Sequence, residues 1–179
     1  MKKLAISVLT IFLLPSCSTG EEEQVVTIEN KYTLSIPAFL KKASNLNEDA
    51  SLQYQHPLTE LYVIVIDEPK EEMQQALEEN NLTDSYPNTL EGYSNLILDV
   101  FKDDVNYSNQ SEVLDTVVNQ MPARLTSLNG TVEDIDVFYS VGFYEGKDNY
   151  YQVLAWTLSD KEQNHRAKMD KMLRSLKEL

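Results

Sequence analysis

Chemistry at neutral pH needs a nucleophile, an acid–base group or a metal ligand, and this chain holds one cysteine, two histidines and twenty-nine carboxylates. The histidines, His56 and His165, are the side chains that titrate near neutrality unperturbed. Neither stands at ligand spacing from the other, and there is no His-Glu-x-x-His pair, so a zinc site of nitrogen and sulfur is not expected. His56 precedes Pro57 and reads as a solvated turn residue. His165 lies one helical turn before Met169 and reads as the half-buried edge of a core stripe, with a ligand or base role as the alternative. A nucleophile elbow is missing because Phe138 stands two positions before Ser140, and Gly146-Lys147-Asp148 lacks the glycine spacing and hydroxyl of a phosphate loop. Carboxylate pairs such as Asp67-Glu68, Glu78-Glu79, Asp103-Asp104 and Glu133-Asp134 are what so acidic a chain shows as solvated faces. From Asp104 to Asp115 oxygen-bearing residues recur as in a calcium loop, but Asn109 replaces the needed Gly, Asp115 replaces the Glu, and a Val-rich strand follows where a helix is required. No catalytic residue, metal site or cofactor site is therefore assigned.

Cys17 is different. Met1-Lys2-Lys3 is a basic start, and Leu4 to Leu14 is an uncharged run of eleven residues followed by Pro15-Ser16-Cys17, which reads as a signal peptide over residues 1–16. A membrane-spanning helix needs about 20 apolar residues, so this run is too short to be one. The segment Leu14-Pro15-Ser16-Cys17 resembles a bacterial lipobox, in which a small residue precedes the Cys that is lipidated and becomes N-terminal after cleavage. That resemblance implies a diacylglycerol thioether on Cys17, often with an N-acyl chain such as palmitate, and two or more chains give stable anchoring. An ordinary secreted protein with an incidental Cys near its cleavage site is the alternative.

Residues 17–23 then form the lipidated Cys and a polar tether, Ser18-Thr19-Gly20-Glu21-Glu22-Glu23. Its acidic cluster resembles the surface-export signals of Bacteroidetes lipoproteins; a spacer without such meaning is the other reading. Removing residues 1–16 takes away only Lys2 and Lys3, leaving 13 basic and 29 acidic side chains, a net of −16. Such a charge excludes a phosphate-binding nucleic-acid surface and is repelled by anionic lipid headgroups, so the anchor and not a basic patch is expected to hold the domain.

What remains, residues 24–179, has the size and make-up of one folded domain: the 179-residue chain is 42% hydrophobic, 9% aromatic and 25% charged. Val25–Ile28 and Tyr32–Ile36 predict an opening hairpin closed by Pro37, and Ser51–Gln55 with Leu61–Ile66 predict a second around His56-Pro57-Leu58-Thr59. Two helices follow. The first begins at Pro69 with Met73, Ala76 and Leu77 inward; the second opens on an Asn88/Glu91 capping box, with Leu90, Tyr93, Leu96, Ile97, Val100 and Phe101 as its apolar stripe. Met121–Leu128, a turn at Asn129-Gly130, Ile135–Tyr144, a loop at 145–148 and Asn149–Leu158 predict three strands. A closing helix is expected to be capped by Ser159 with Glu162 and to carry Met169, Met172, Leu173 and Leu176 inward.

This element order resembles PsbP-like domains, carried by Tyr32-Thr33-Leu34-Ser35-Ile36-Pro37, Met121-Pro122-Ala123-Arg124 and Met172-Leu173-Arg174-Ser175-Leu176. The resemblance implies an α+β fold, an α/β/α sandwich around a mainly antiparallel sheet, in a superfamily of photosystem extrinsic proteins, Mog-type partners of Ran GTPase and bacterial lipoproteins. It assigns no functional residue. The expectation is a lipid-anchored envelope protein, in the outer membrane and facing the periplasm or the surface, that binds a protein partner without catalysis. The alternatives are a carboxylate enzyme acting on envelope glycans and a chaperone-like groove for hydrophobic segments.

Overall fold

In the computed structural model residues 22–179 are described, so Cys17, the signal segment and most of the tether lie outside the described residues. Eleven strands and three helices follow in the order β1 (Glu23–Ile28), β2 (Tyr32–Pro37), β3 (Lys41–Lys42), β4 (Leu52–His56), β5 (Leu61–Pro69), α1 (Lys70–Glu79), α2 (Leu90–Asp104), β6 (Asn106–Gln110), β7 (Leu114–Val118), β8 (Met121–Val132), β9 (Ile135–Glu145), β10 (Asn149–Leu158), α3 (Glu162–Leu173) and β11 (Lys177–Glu178). Strand β1 begins on the last residue of the expected tether: Glu23 already pairs with Pro37, and its carboxylate meets Lys171 at 2.7 Å.

The main sheet is antiparallel throughout, in the order β3-β4-β5-β10-β9-β8-β6, with β7 beside the Met121–Leu125 half of β8. A small sheet, β1-β2-β11, packs with α3 on one face, where Leu34, Ile36, Val63, Val153, Phe138, Met169, Met172 and Leu173 form one core. Helices α1 and α2 cover the other face over Ile64, Val141, Phe143 and Leu154. The result is the expected α/β/α layering, and β5, β9 and β10 are buried on both faces, as their near-continuous apolar runs require.

Four local readings are corrected. Strand β8 runs straight through Asn129-Gly130, and the chain turns at Glu133-Asp134, both with positive φ (49° and 65°). Gly130 serves a different need: a Cβ there would come 2.3 Å from Val105 Cγ1, so the glycine admits the chain leaving α2. Helix α2 is capped by Thr89, whose hydroxyl accepts from the Gly92 N–H at 3.1 Å, while Asn88 donates to the Lys70 carbonyl. The buried stripe of α2 is rotated toward Ser94 and Leu98, leaving Val100 exposed, and on α1 Ala76 is exposed beside buried Met73 and Leu77. Ser159 makes no cap bond; it starts a 3-10 turn, Ser159–Lys161, before α3, and Leu176 is buried beyond the helix end.

Candidate functional site

The helices leave one part of their sheet face uncovered. Tyr62 of β5, Trp156 of β10 and Tyr139 of β9 are direct cross-strand partners, Tyr62 opposite Trp156 and Trp156 opposite Tyr139, so three aromatic side chains stand in a row across the centre of the sheet. Tyr62 and Trp156 are stacked, with ring centroids 5.2 Å apart and planes 10° from parallel; Tyr139 lies 6.4 Å from Trp156 at 32°. Phe101, in the last turns of α2, meets Tyr139 edge-on at 5.1 Å and closes one side of the row. Beyond the helix end, the ring edges open into a slot of about 260 Å³, whose lining includes Glu60, Glu133, Ile135, Val137 and Leu158.

Backbone geometry places the rim. The β8–β9 turn puts Glu133 at the mouth and leaves Ile135 51% exposed beside the aromatic row. On the opposite rim the Tyr62 hydroxyl donates to Glu60 Oε2 at 2.7 Å. Burial, and then the neighbouring Glu60 carboxylate, push the Tyr62 hydroxyl up to about 12, so it stays protonated at every physiological pH. The lining carries two carboxylates and no cation, which makes it an apolar slot with an acidic rim.

The residues singled out from the sequence sit elsewhere. His165 is buried and donates from Nε2 to the Thr59 carbonyl at 2.8 Å, with Nδ1 enclosed and unpartnered. His56 Nδ1 meets the Thr59 hydroxyl at 3.0 Å, and its ring packs edge-on to Phe39. Thr59 thus meets both histidines at the β4–β5 turn, and the His165 bond ties α3 to that turn. From Asp104 to Asp115 the chain passes from the end of α2 through β6 into β7 and forms no calcium loop, and the Asp115 carboxylate accepts from Arg124 Nε at 2.9 Å. Arg124 also donates to Ser94 Oγ at 2.6 Å and to the Glu91 carbonyl, strapping α2 to β8. Among the described residues, no group of three or more His, Cys, Asp or Glu side chains is placed to hold a metal ion.

Sequence reasoning found the strands that carry Tyr62, Tyr139 and Trp156 but not their juxtaposition. The β5–β10 pairing joins segments some ninety residues apart, and no turn signal announces it.

No protein-family model matches the chain, and no curated protein does. Solved structures do. The solution structure of cyanobacterial PsbP (CyanoP) from Synechocystis sp. PCC 6803 is 13% identical, with 93% of this chain and 99% of that one covered at a TM-score of 0.54. The fold is PsbP-like. The Ran-binding protein Mog1p of Saccharomyces cerevisiae (12% identity, 88% and 95% covered, TM-score 0.54) shares it. So does LpqN of Mycobacterium tuberculosis, described as involved in cell envelope biogenesis (10% identity, 88% and 90% covered, TM-score 0.53). At these identities the PsbP-like likeness speaks for architecture alone. No helix among the described residues is long and apolar enough to cross a membrane.

Proposed function

We propose that this chain is a lipid-anchored protein of the bacterial cell envelope, held through Cys17, that works without catalysis as a binding or assembly module and grips a partner protein in the Tyr62–Trp156 slot. The observation that carries the reading is the slot itself: stacked aromatics and half-exposed Ile135 lining one recess. Its volume, about 260 Å³, lies below the roughly 300–1,000 Å³ of small-molecule pockets and suits one or two inserted side chains. That size does not favour the chaperone-like reading, which needs room for a whole apolar segment. The occupant is argued from charge. Glu60 and Glu133 line the slot, Asp134 and Asp136 stand beside it, and residues 60–136 hold seventeen acidic against three basic side chains. A basic, amphipathic segment of a partner protein complements that surface, its apolar side chains inserting and its cations meeting the rim. The envelope setting is supported by the lipobox resemblance at Cys17 and by the shared fold of LpqN.

Trp156 is the single tryptophan of the chain, so its emission reports on the slot directly. A peptide of alternating Leu and Lys serves as probe and one of alternating Leu and Glu as control. The expected result is a saturable shift of Trp156 emission with the Leu/Lys peptide, weakened by salt and by Ile135→Asp, and unchanged by Val25→Asp on β1. Equal responses to both peptides, or to both variants, would overturn the proposal.

A further inference from the structure

Among the large apolar side chains left exposed, Leu114 (52%) and Val117 (67%) share one five-residue strand, β7. One side of β7 pairs with the Met121–Leu125 half of β8, and among the described residues no strand pairs with its other side. The turn after β7 fixes which groups that free side presents. Asn119 and Gln120 both have positive φ (47° and 72°), which marks the two-residue turn that closes on a hydrogen-bonded pair, here Val118 and Met121. Alternation then directs the backbone groups of Thr116 and Leu114 to β8 and turns the N–H and C=O of Asp115 and Val117 outward. Pro122 agrees with this phase: it has no N–H, and it stands opposite Val117, where the β7–β8 ladder needs none.

At its opposite edge the main sheet is blunted, because β3 has only two residues, the exposed Lys41 and Lys42. β7 carries no lysine, proline or bulge. Its one charged side chain, Asp115, accepts from Arg124 Nε at 2.9 Å, so the edge is close to neutral on a strongly acidic chain. A second β7, antiparallel about a two-fold axis through Thr116, satisfies it. Asp115 and Val117 of one copy then face Val117 and Asp115 of the other as hydrogen-bonded pairs, Thr116 faces Thr116, and Leu114 faces Val118. The two Val117 side chains become diagonal neighbours, and no carboxylate stands opposite another. The same register carries Glu112 toward Gln120 of the second copy, next to Asn119, whose Nδ2 donates to the Arg174 carbonyl at 3.5 Å. Glu112 and Arg174 are exposed, line the recess between the start of β7 and α3, and have no ion pair among the described residues. Pairing of two copies sets these opposite charges beside each other twice.

We infer that β7 is a self-association edge, through which two copies of this chain pair antiparallel about Thr116 and join their main sheets into one. The contact uses the same strand on both copies, so it consumes both free edges and closes at a dimer without growing into a fibre. It lies on the half of β8 remote from the Glu133-Asp134 turn, which leaves the Tyr62–Trp156 slot of each copy open. Two five-residue strands make a small interface, and the association is accordingly weak and reversible.

The test uses the full processed chain in excess detergent at physiological salt. Facing residues of a non-hydrogen-bonded pair lie about 4.5 Å apart at Cα, within the roughly 4.4–6.8 Å that a disulfide spans, so Thr116→Cys should cross-link to itself across the axis. Under mild oxidation its dimer is expected to form about ten-fold faster than that of Val25→Cys, at a more exposed position on β1, with the parent chain and its single Cys17 as background. Adding Val117→Pro removes an outward N–H and no β7–β8 bond, and should return cross-linking to the background at an unchanged melting temperature. Thr116→Lys sets like charges opposite each other while keeping every backbone group. In density-matched sedimentation the parent is expected to pass from monomer to dimer as its concentration rises to the millimolar range, and Thr116→Lys to stay monomeric. Equal cross-linking at positions 116 and 25, a parent that stays monomeric throughout, or a dimer that survives Thr116→Lys would each overturn the assignment.

Discussion

Gly142 lies in the middle of β9, where glycine normally weakens a strand, and replacing it with alanine should nonetheless destabilise the protein. A Cβ at this position would come 2.2 Å from the Tyr144 hydroxyl oxygen and 2.7 Å from its Cζ. Tyr144 cannot step aside: it is fully buried, and its hydroxyl donates to the Leu173 carbonyl at the end of α3 at 2.6 Å. Overpacking of this kind costs about 1–3 kcal/mol, and displacing the hydroxyl from Leu173 adds about 0.5–1.5 kcal/mol. Relief of glycine's strand penalty returns about 0.5–1 kcal/mol, so Gly142→Ala should lose about 0.5–4 kcal/mol. For a domain of this size each kcal/mol lowers the melting temperature by about 2–4 °C. Tyr144→Phe alone should cost about 1–3 kcal/mol, because it leaves a buried carbonyl without its donor. The double variant discriminates. With the nearest clashing atom gone and the ring no longer tethered to Leu173, the two losses should fall short of additivity by about 1 kcal/mol. Urea melts of the parent, both single variants and the double variant measure all the terms. Strict additivity, or a Gly142→Ala protein as stable as its parent, would refute the account of why glycine stands there.

Leu173→Ala should cost about 2–5 kcal/mol, since Leu173 is buried between α3 and the sheet; Lys171→Ala, which removes only a largely exposed pair with Glu23, should cost no more than about 1 kcal/mol in the same denaturant titration. Alkaline pH should unfold the domain cooperatively. Burial raises the hydroxyl pKa of Tyr32, Tyr62, Tyr93, Tyr139, Tyr144, Tyr150 and Tyr151. Their stabilisation is complete below the unfolded value near 10 and is lost as pH rises from there through the folded values, about 12 for Tyr62. Each fully buried group such as Tyr144 steepens the loss by about 1.4 kcal/mol per pH unit. Phenolate absorbance should therefore rise in one step with the loss of ellipticity, and stepwise ionisation of the folded protein would contradict this. Cys17→Ser should abolish incorporation of a fatty-acid analogue in metabolic labelling; persistent incorporation would remove the anchor from the proposal.

Much of the fold was legible because its signals are local. Apolar and β-branched runs marked β1, β2, β4 and β5 and again β8 to β10, and Met169, Met172 and Leu173 at helical spacing marked the inner face of α3, whereas the short or polar strands β3, β6, β7 and β11 carried no such signal. Errors arose where a local signal served a distant neighbour. Asn129-Gly130 carries the commonest hairpin dipeptide, but its glycine makes room for Val105 on the other side of the chain crossing. Ser94 looks like a surface residue of α2, yet it faces β8 because Arg124 reaches it, and that contact turns the stripe so that Leu98 is buried and Val100 is not. The candidate slot was illegible for the same reason. Tyr62, Tyr139 and Trp156 each read as ordinary core aromatics, and only the register of β5 against β10 and of β10 against β9 sets them in one row.

The place of β10 between β5 and β9 also sets a timetable for the chain. A polypeptide made from its N-terminus has residues 61–69 in hand long before residues 149–157 with which they pair, and until then β5 is an apolar edge with no neighbour on that side. The two opening hairpins can form early, but the sheet cannot close, and neither helical layer has a finished surface to settle on. So high a sequence separation delays the cooperative step until β10 has emerged. During that interval the chain stays pliant and sticky, a state that can be threaded through a narrow channel and that also needs protection from aggregation.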